Sequence, residues 1–343
     1  VRPGHQPPAL RRRVGKWRRI RTGRILVLPF LLTTAVLLGT TPYAAPPYAS
    51  ASLAADAPYR LWHWNIAGNT LHRGSVSDGL VGALVSSVLN RDSDLVSLNE
   101  VCRGQYEAVQ EWLRGAGWPA DRGNFSRFTA TLKPRKGLCR GSEPYGIALF
   151  SKWPLGPAKT YVLPSDGTAE RRALLCAPLA DRPQVTFCAT HLTPRAFPGR
   201  DGSPNGRQIA AVRARLDAFA TAGRSYLVAG DFNAQPHHTR MDRMYAPSVD
   251  RPTDHAGRGA HRELDDADRG HCAGHGERTF SVPAARPGPC GSGVKLDYLF
   301  VRADRISGAY TADSLAVPAS CRGARRCSDH RALIGTVTLR RGR

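Results

Sequence analysis

The run Leu227-Val228-Ala229-Gly230-Asp231-Phe232-Asn233 sets a carboxylate and a carboxamide two residues apart at the end of a short apolar stretch. Tyr226 to Ala229 predicts a buried strand, with Gly230 expected to break it. Residues i and i+2 of an extended backbone point to the same side. A carboxylate takes a proton or a cation, and a carboxamide both donates and accepts. Together they suit phosphate oxygens and an attacking water. An Asx turn closing a strand accounts for the same residues equally well, so the decision rests on the rest of the chain.

The pattern recurs. Asn65 ends Trp62-His63-Trp64-Asn65, Glu100 ends Leu98-Asn99-Glu100, and His191 ends Ala189-Thr190-His191. Asp297 lies in Lys295-Leu296-Asp297-Tyr298-Leu299-Phe300, and Asp329 and His330 precede the apolar run from Ala332. Each alone reads as a strand-end cap. Ionisable groups beside so many apolar runs are costly unless they pair or bind a metal. Convergence would make a polar pit of four carboxylates and two histidines.

The elements that must position these groups follow from periodicity. Strands are expected over Tyr59–Ile66, Asp94–Val101, Phe128–Leu132, Tyr145–Ser151, Lys159–Leu163, Ala173–Leu179, Gln184–Leu192, Tyr226–Ala229, Lys295–Arg302 and Ala332–Leu339. Helical spacing marks Ser77–Leu89, Gln105–Leu113 and Arg207–Ala222, the last with Ile209, Val212, Leu216 and Phe219 on one face. Mixed helices and hairpin-like strand pairs predict an α/β layered sandwich with much antiparallel sheet. Met241 to Ser292 reads as a long loop region. His237, His238, His255, His261, His271 and His275 fall in or near it, and exposed, solvated side chains are expected there rather than metal ligands. Trp112, Trp118 and Trp153 read as core residues.

Composition bounds the partners. Of 49 Lys and Arg, nine precede Ser52, where no acid occurs, leaving 40 cations against 27 acids. A surface of net charge +13 favours polyanions such as nucleic acid or anionic headgroups. A basic segment to Arg24, an apolar run of 14 residues from Ile25 to Leu38 and the small-residue site Ala49-Ser50-Ala51 have the layout of a secretory signal peptide. The run falls short of the roughly 20 residues that span a bilayer; an uncleaved membrane anchor is the alternative. The expected organisation is a signal peptide over 1–51, a linker over 52–58 and one domain over 59–340. Eight cysteines, all beyond the signal region, predict disulfides in an oxidising compartment. Cys176 and Cys188 flank a hairpin turning near Asp181-Arg182-Pro183, Cys321 and Cys327 close one short loop, and Cys272 and Cys290 close another. Cys102 and Cys139 remain.

Taken in order, Trp-Asn-Ile at 64–66, Leu-Asn-Glu-Val at 98–101, Thr-His-Leu at 190–192, Gly-Asp-Phe-Asn at 230–233, Leu-Asp-Tyr-Leu-Phe at 296–300 and Ser-Asp-His-Arg at 328–331 resemble the endonuclease/exonuclease/phosphatase superfamily over nearly the whole mature chain. The resemblance implies a four-layer α/β/β/α sandwich with two mixed, largely antiparallel sheets and a site at one edge. It implies Glu100 as main ligand of Mg2+, with Mn2+ or Ca2+ as alternatives, Asn65 nearby and Asp329 assisting. It makes His330 and Asp297 a His–carboxylate pair. Asp231 and Asn233 handle water and phosphate, His191 donates to a phosphoryl oxygen or the leaving group, and Arg172 contacts phosphate, with Arg171 as the other register. Tyr145–Ser151 lacks the glutamate that pancreatic-type deoxyribonucleases carry, and Gly146–Pro154 is closer to the sphingomyelinase and general phosphodiesterase branches. The expected activity is metal-dependent phosphodiester hydrolysis by a secreted monomer with no stable protein partner. Nucleic acid is the first substrate class and a sphingolipid or inositol phosphate the second. A non-catalytic binding protein on the same fold is the third reading.

Overall fold

Tyr59–Asn65 (β1) alternates strictly. Tyr59 and Leu61 enter one apolar cluster, and Trp62 and Trp64 enter another. A strand shows opposite faces in turn, so His63 and Asn65 follow Leu61 onto its face. Leu95–Cys102 (β2) runs parallel to β1, pairing His63 with Ser97 and Asn65 with Asn99. The computed structural model describes residues 58–119, 122–197, 202–249, 257–271, 273–280, 293–322 and 326–340. The expected signal peptide, residues 52–57 of the expected linker, His255, Cys272 and Cys290 lie outside the described residues.

The first sheet continues with Ser126–Leu132 (β3), Tyr145–Ser151 (β4), Ile306–Leu315 (β11) and Ala332–Leu339 (β12), in the order β11-β12-β1-β2-β4-β3. The second holds Lys159–Val162 (β5), Ala173–Pro178 (β6), Val185–His191 (β7), Ser225–Asp231 (β8), His261–Glu263 (β9) and Asp297–Arg302 (β10), in the order β5-β6-β7-β8-β10-β9. The β1–β2 and β7–β8 pairs are parallel and the other strand pairs antiparallel. Leu61, Leu95, Leu149, Phe187, Leu227 and Leu299 meet between the sheets. Helices Leu80–Asn90 (α1) and Arg103–Gly115 (α2) pack on the outer face of the first sheet. Arg122–Phe125 (α3) is a single turn, and Pro204–Thr221 (α4) covers the outer face of the second sheet. This is the four-layer α/β/β/α sandwich. Each large apolar side chain fully buried between layers contributes about 1.5–3 kcal/mol, which offsets the cost of ending the core in ionisable groups.

Several expectations change. Gly230 lies inside β8 rather than breaking it. A Cβ there would sit 2.2 Å from the Thr190 carbonyl oxygen, so glycine allows β7 to come close. The strands β9 and β11 were not expected. In β11 only Ile306 and Ser314 are fully buried, because it is an edge strand with little apolar alternation. The helix α4 begins at Pro204, capped by Ser203 Oγ accepting the Gly206 N–H at 3.1 Å. Trp118 is buried but Trp112 is 53% exposed, contrary to a core role. His261 and His275 are buried rather than solvated. Disulfides join Cys102–Cys139, Cys176–Cys188 and Cys321–Cys327, and Cys176 faces Cys188 across the β6–β7 hairpin.

Candidate active site

Alternation carries the site. On β7, β8 and β10 the residues at 187, 189, 227, 229, 299 and 301 fill the core between the sheets. The next positions on that face, at one strand end, are His191, Asp231 and Asp297. They are direct neighbours across the sheet, His191 opposite Asp231 and Asp231 opposite Asp297. Across from them stand His63 and Asn65 of β1. The apolar core therefore ends in a polar wall where both sheets stop.

Two residues need unusual backbone to join it. Glu100 has φ 58° and Asn233 φ 49°, in the left-handed region that non-glycine residues seldom occupy and that clusters at functional sites. A register shift in the β2–β4 pairing between Leu98 and Val101 brackets Glu100. Such a bulge re-aims a side chain, and it lets Asn99 and Glu100 both serve the site. Asn99 Oδ1 accepts the Asp231 N–H at 2.9 Å.

Asn65 joins the two sides. Its Nδ2 donates to Glu100 Oε1 and to Asp231 Oδ2, each at 3.1 Å, while its Oδ1 accepts the Ala67 N–H at 3.2 Å. Turning the amide round would set oxygen against two carboxylates. Asn65 thus clamps Glu100 and Asp231 together. Asp231 Oδ1 accepts the Asn233 N–H at 2.8 Å, and Asn233 Nδ2 donates to the Leu192 carbonyl at 2.9 Å.

Two imidazoles flank Asp231 Oδ2, His191 Nε2 at 3.6 Å and His330 Nε2 at 3.7 Å. Their environments differ. Burial opposes a charge on His330, but Asp297 and Asp231, with the Asp297 hydrogen bond, outweigh it and push the imidazole up to about 10. Burial, Arg172 and His330 hold His191 well below its ordinary range. One imidazole is charged and the other neutral at neutral pH. Asp297 Oδ2 accepts from His330 Nδ1 at 2.8 Å, and Oδ1 lies 3.1 Å from His63 Nε2. Burial works against ionising Asp297, yet His330 and His63 keep its carboxyl below the ordinary carboxylate range. Asp231 goes the other way, raised to about 7 by burial and by Asp297 despite His330.

Arg172 is buried, and its Nη2 pairs with Glu170 Oε2 at 3.0 Å, whereas Arg171 is exposed. Arg172 Nε and Nη1 have no hydrogen-bond partner, which leaves two guanidinium donors for an anion. Glu170 Oε1 accepts from Thr131 Oγ1 at 3.1 Å and lies 4.0 Å from His191 Nδ1. Burial, aided by Glu100 and opposed by Arg172, raises Glu170.

Asp231, Asp297 and His330 each offer one ligand atom within 4.8 Å of the others. Without an ion they are tied to one another, His330 Nδ1 bonding Asp297 Oδ2 at 2.8 Å and His330 Nε2 facing Asp231 Oδ2 at 3.7 Å. Glu100 is different. Its carboxylate is 21% exposed, and its Oε1 lies 4.0 Å from His191 Nε2. Its charge also helps raise Glu170 and Tyr145. A hard cation with retained waters relieves such crowding and takes one carboxylate with ease, so the donor set fits a divalent ion on Glu100. Asp329 is half-buried and its charge reaches His330.

Sequence reasoning missed His63, Asn99, Glu170, Thr279 and Ser328. Thr279 Oγ1 accepts the N–H groups of Leu296 and Asp297, each at 3.0 Å. Ser328 Oγ donates to the Asn65 carbonyl at 2.6 Å and accepts the His330 N–H at 3.0 Å. His63 and Asn99 carried a usable signal, standing two before and one before residues singled out. A cavity of about 920 Å³, lined by Arg60, Arg91, Tyr310 and Ile334 among others, shares no residue with this cluster.

The model of the Endonuclease/Exonuclease/phosphatase family matches residues 62–330, which span every residue placed in the site. No curated protein sequence matches the chain. Among solved structures, the human Nocturnin catalytic domain with bound sulfate is 17% identical, with TM-score 0.58 over 82% of this chain and 94% of that one. An endonuclease/exonuclease/phosphatase from Beutenbergia cavernae is 21% identical, with TM-score 0.53 over 82% and 72%. D. rerio TDP2 complexed with single strand DNA product is 16% identical, with TM-score 0.52 over 82% and 99%. At these identities the likeness is one of fold, and the family match carries the assignment: the chain belongs to the endonuclease/exonuclease/phosphatase family.

Proposed function

We propose that this chain is a divalent-metal-dependent phosphodiesterase, exported from the cell, whose substrate is nucleic acid. The observation that carries the hydrolytic reading is Asp231, a buried carboxylate raised to about 7 between one charged and one neutral imidazole. Environments that push neighbouring titratable groups apart assign acid and base roles. Asp231 takes a proton from water at neutral pH, where its pKa suits a general base. Asn65 and the Asn233 N–H fix the orientation of its carboxylate. The His330 imidazolium, oriented by Asp297, stabilises negative charge developing on the phosphoryl group. His191 donates a hydrogen bond to a phosphoryl or leaving oxygen, and the two unpartnered Arg172 donors hold another, a geometry guanidinium favours. A divalent ion on Glu100, with Mg2+ the first choice, would polarise a phosphoryl oxygen and neutralise charge. Asn65 then positions Glu100, and Asp329 adds negative field beside His330.

Nucleic acid is favoured by the basic balance that persists beyond the N-terminal segment, and a solved relative by fold is described with a single-stranded DNA product. Export is supported by three disulfides. No helix among the described residues is long and apolar enough to cross a membrane. The test is hydrolysis of bis(p-nitrophenyl) phosphate, plasmid DNA, RNA and sphingomyelin with Mg2+ and with chelator. Turnover of the nitrophenyl ester and nucleic acid, lost with chelator and in Asp231→Ala and His330→Ala, is expected. A folded, metal-replete protein inert on every phosphoester sinks the enzyme reading, and sphingomyelin turnover alone moves the substrate to lipid.

A further inference from the structure

A basic pocket opens at the start of α4. It has a volume of about 340 Å³ and is lined by Arg207, Arg240, Arg243 and Arg258, together with Ser203 and Gly206 at the start of α4. No carboxylate lines it among the described residues. Nor does any of the four guanidiniums form an ion pair with a described residue. Arg207 Nη1 donates to the Gly202 carbonyl at 2.8 Å, and Arg240 Nε donates to Asn205 Oδ1 at 2.6 Å. Four like charges around one cavity repel each other. Burial already lowers Arg240. Proteins tolerate such a cluster where an anion completes it, and guanidinium matches phosphate in planar, two-point hydrogen bonding. The helix start adds only its field, since the Asn205 and Gly206 N–H groups are taken by the Arg195 carbonyl at 3.1 Å and by Ser203 Oγ at 3.1 Å. A Cβ on Gly206 would come 3.0 Å from Ser203 Oγ and 3.8 Å from Arg240 Cβ.

Buried Asn205 ties this pocket to the site. Its Oδ1 receives Arg240, while its Nδ2 donates to the carbonyls of Thr193 at 2.7 Å and Phe232 at 2.9 Å. Thr193 follows His191 by two residues, and Phe232 separates Asp231 from Asn233. The pocket and the reaction centre thus share the same strand ends.

We propose that the arginine pocket is a second phosphate-binding site, taking a further phosphate of the polynucleotide strand whose scissile phosphate sits at Asp231. The inference rests on the phosphodiesterase reading and narrows it to a substrate with several phosphates. A lone headgroup phosphate leaves the pocket without a role.

Arg243 and Arg258 are exposed, so the double variant Arg243→Ala/Arg258→Ala should fold, checked by its melting curve; Arg207→Ala is the second variant. Turnover of bis(p-nitrophenyl) phosphate should stay within twofold. The KM for a single-stranded oligothymidylate should rise about tenfold, and the salt slope of its binding should drop by about 0.7 for each phosphate no longer held. Fluorescence anisotropy of the labelled oligothymidylate in chelator reads the pocket without turnover. If wild type hydrolyses nothing, the reaction reading fails while anisotropy still decides the pocket. Unchanged oligothymidylate affinity and salt slope overturn the proposal. So does loss of inorganic phosphate binding with oligothymidylate KM unchanged, which assigns the pocket to a free anion. An equal loss of nitrophenyl ester turnover would make the arginines supports of the reaction centre and overturn it as well.

Discussion

Asp297→Asn removes one charge and changes little in shape, so its effect can be worked out in some detail. Asp297 is fully buried, and its two oxygens serve His330 Nδ1 at 2.8 Å and His63 Nε2 at 3.1 Å. Asparagine has one carbonyl oxygen and an NH2 group, so one imidazole meets a donor instead of an acceptor. Moving His330 from its ordinary 6.5 up to about 10 corresponds to on the order of 5 kcal/mol in favour of imidazolium. Burial opposes that charge and Asp297 is the first group that sustains it. With Asp297 neutral, only Asp231 and Asp329 are left to oppose burial, so His330 falls from that value. The imidazolium that faces the phosphoryl group is then less populated and loses the partner that orients it. We expect kcat to fall by ~10³-fold or more, the scale seen when the carboxylate behind a catalytic imidazole becomes an amide. KM should move far less, because the charge is needed chiefly in the transition state. Stability should drop by about 3 kcal/mol, as when one partner of a buried ion pair is removed. The assay is steady-state kinetics on bis(p-nitrophenyl) phosphate beside an NMR titration of the His330 ring. A wild-type His330 that is neutral at pH 7, or an Asp297→Asn enzyme within tenfold of wild type, refutes this reasoning.

Other outcomes follow from the same geometry. Glu100→Gln should raise the Mg2+ concentration for half-maximal activity by ~10-fold or more, measured by metal titration, with the circular dichroism unchanged. In stability, Asp231 and His330 both have folded values, about 7 and about 10, above their ordinary 3.8 and 6.5. Each such contribution is full below the ordinary value and lost as pH rises through the folded one. Chemical denaturation should therefore find stability falling from about pH 4 to 7 through Asp231, and again from about 6.5 to 10 through His330. Asp297, depressed when folded, acts in the opposite direction, and its contribution disappears as pH falls below the carboxylate range. Activity should rise as Asp231 ionises near pH 7 and fall as His330 deprotonates near 10; a flat profile would remove both roles. Gly230→Ala should cost about 2–3 kcal/mol, since its Cβ would meet the Thr190 carbonyl oxygen at 2.2 Å. A melting temperature within a degree of wild type would show that β7 and β8 separate freely.

Much of this was open to reading from residue order. A strand such as β1 announces both its extent and the face its polar end shares, because period two is set by the pleat, whereas β8 runs two residues past the end its apolar run suggests. Asn65, His191, Asp231 and Asp297 therefore meet on one face as alternation alone implies. What alternation does not encode is a bulge. Glu100 arrives through a register shift and a left-handed backbone, and nothing in Leu98-Asn99-Glu100-Val101 marks it. The clamp that Asn65 forms was hidden for a similar reason. Whether a carboxamide offers oxygen or nitrogen depends on its neighbours, here Ala67, Glu100 and Asp231. Glu170 escaped notice because it stands before β6 rather than at a strand end, although its place two residues from Arg172 was visible. The edge strand β11 lacks the apolar alternation that gave its neighbours away. Buried Lys295, paired with Glu263 at 3.4 Å and Asp265 at 3.0 Å, shows a further limit. A lysine two residues before Asp297 reads as surface until the loop bearing its acids is in place.

Water attack on phosphorus at the Asp231–His330 corner is the central claim. Its most direct test is turnover of bis(p-nitrophenyl) phosphate in heavy-oxygen water, with mass spectrometry of both products. The expected result is one labelled oxygen in the p-nitrophenyl phosphate, none in the p-nitrophenol, and no labelled product from Asp231→Ala or His330→Ala. Label in the nitrophenol, or wild-type rates in both variants, would contradict it.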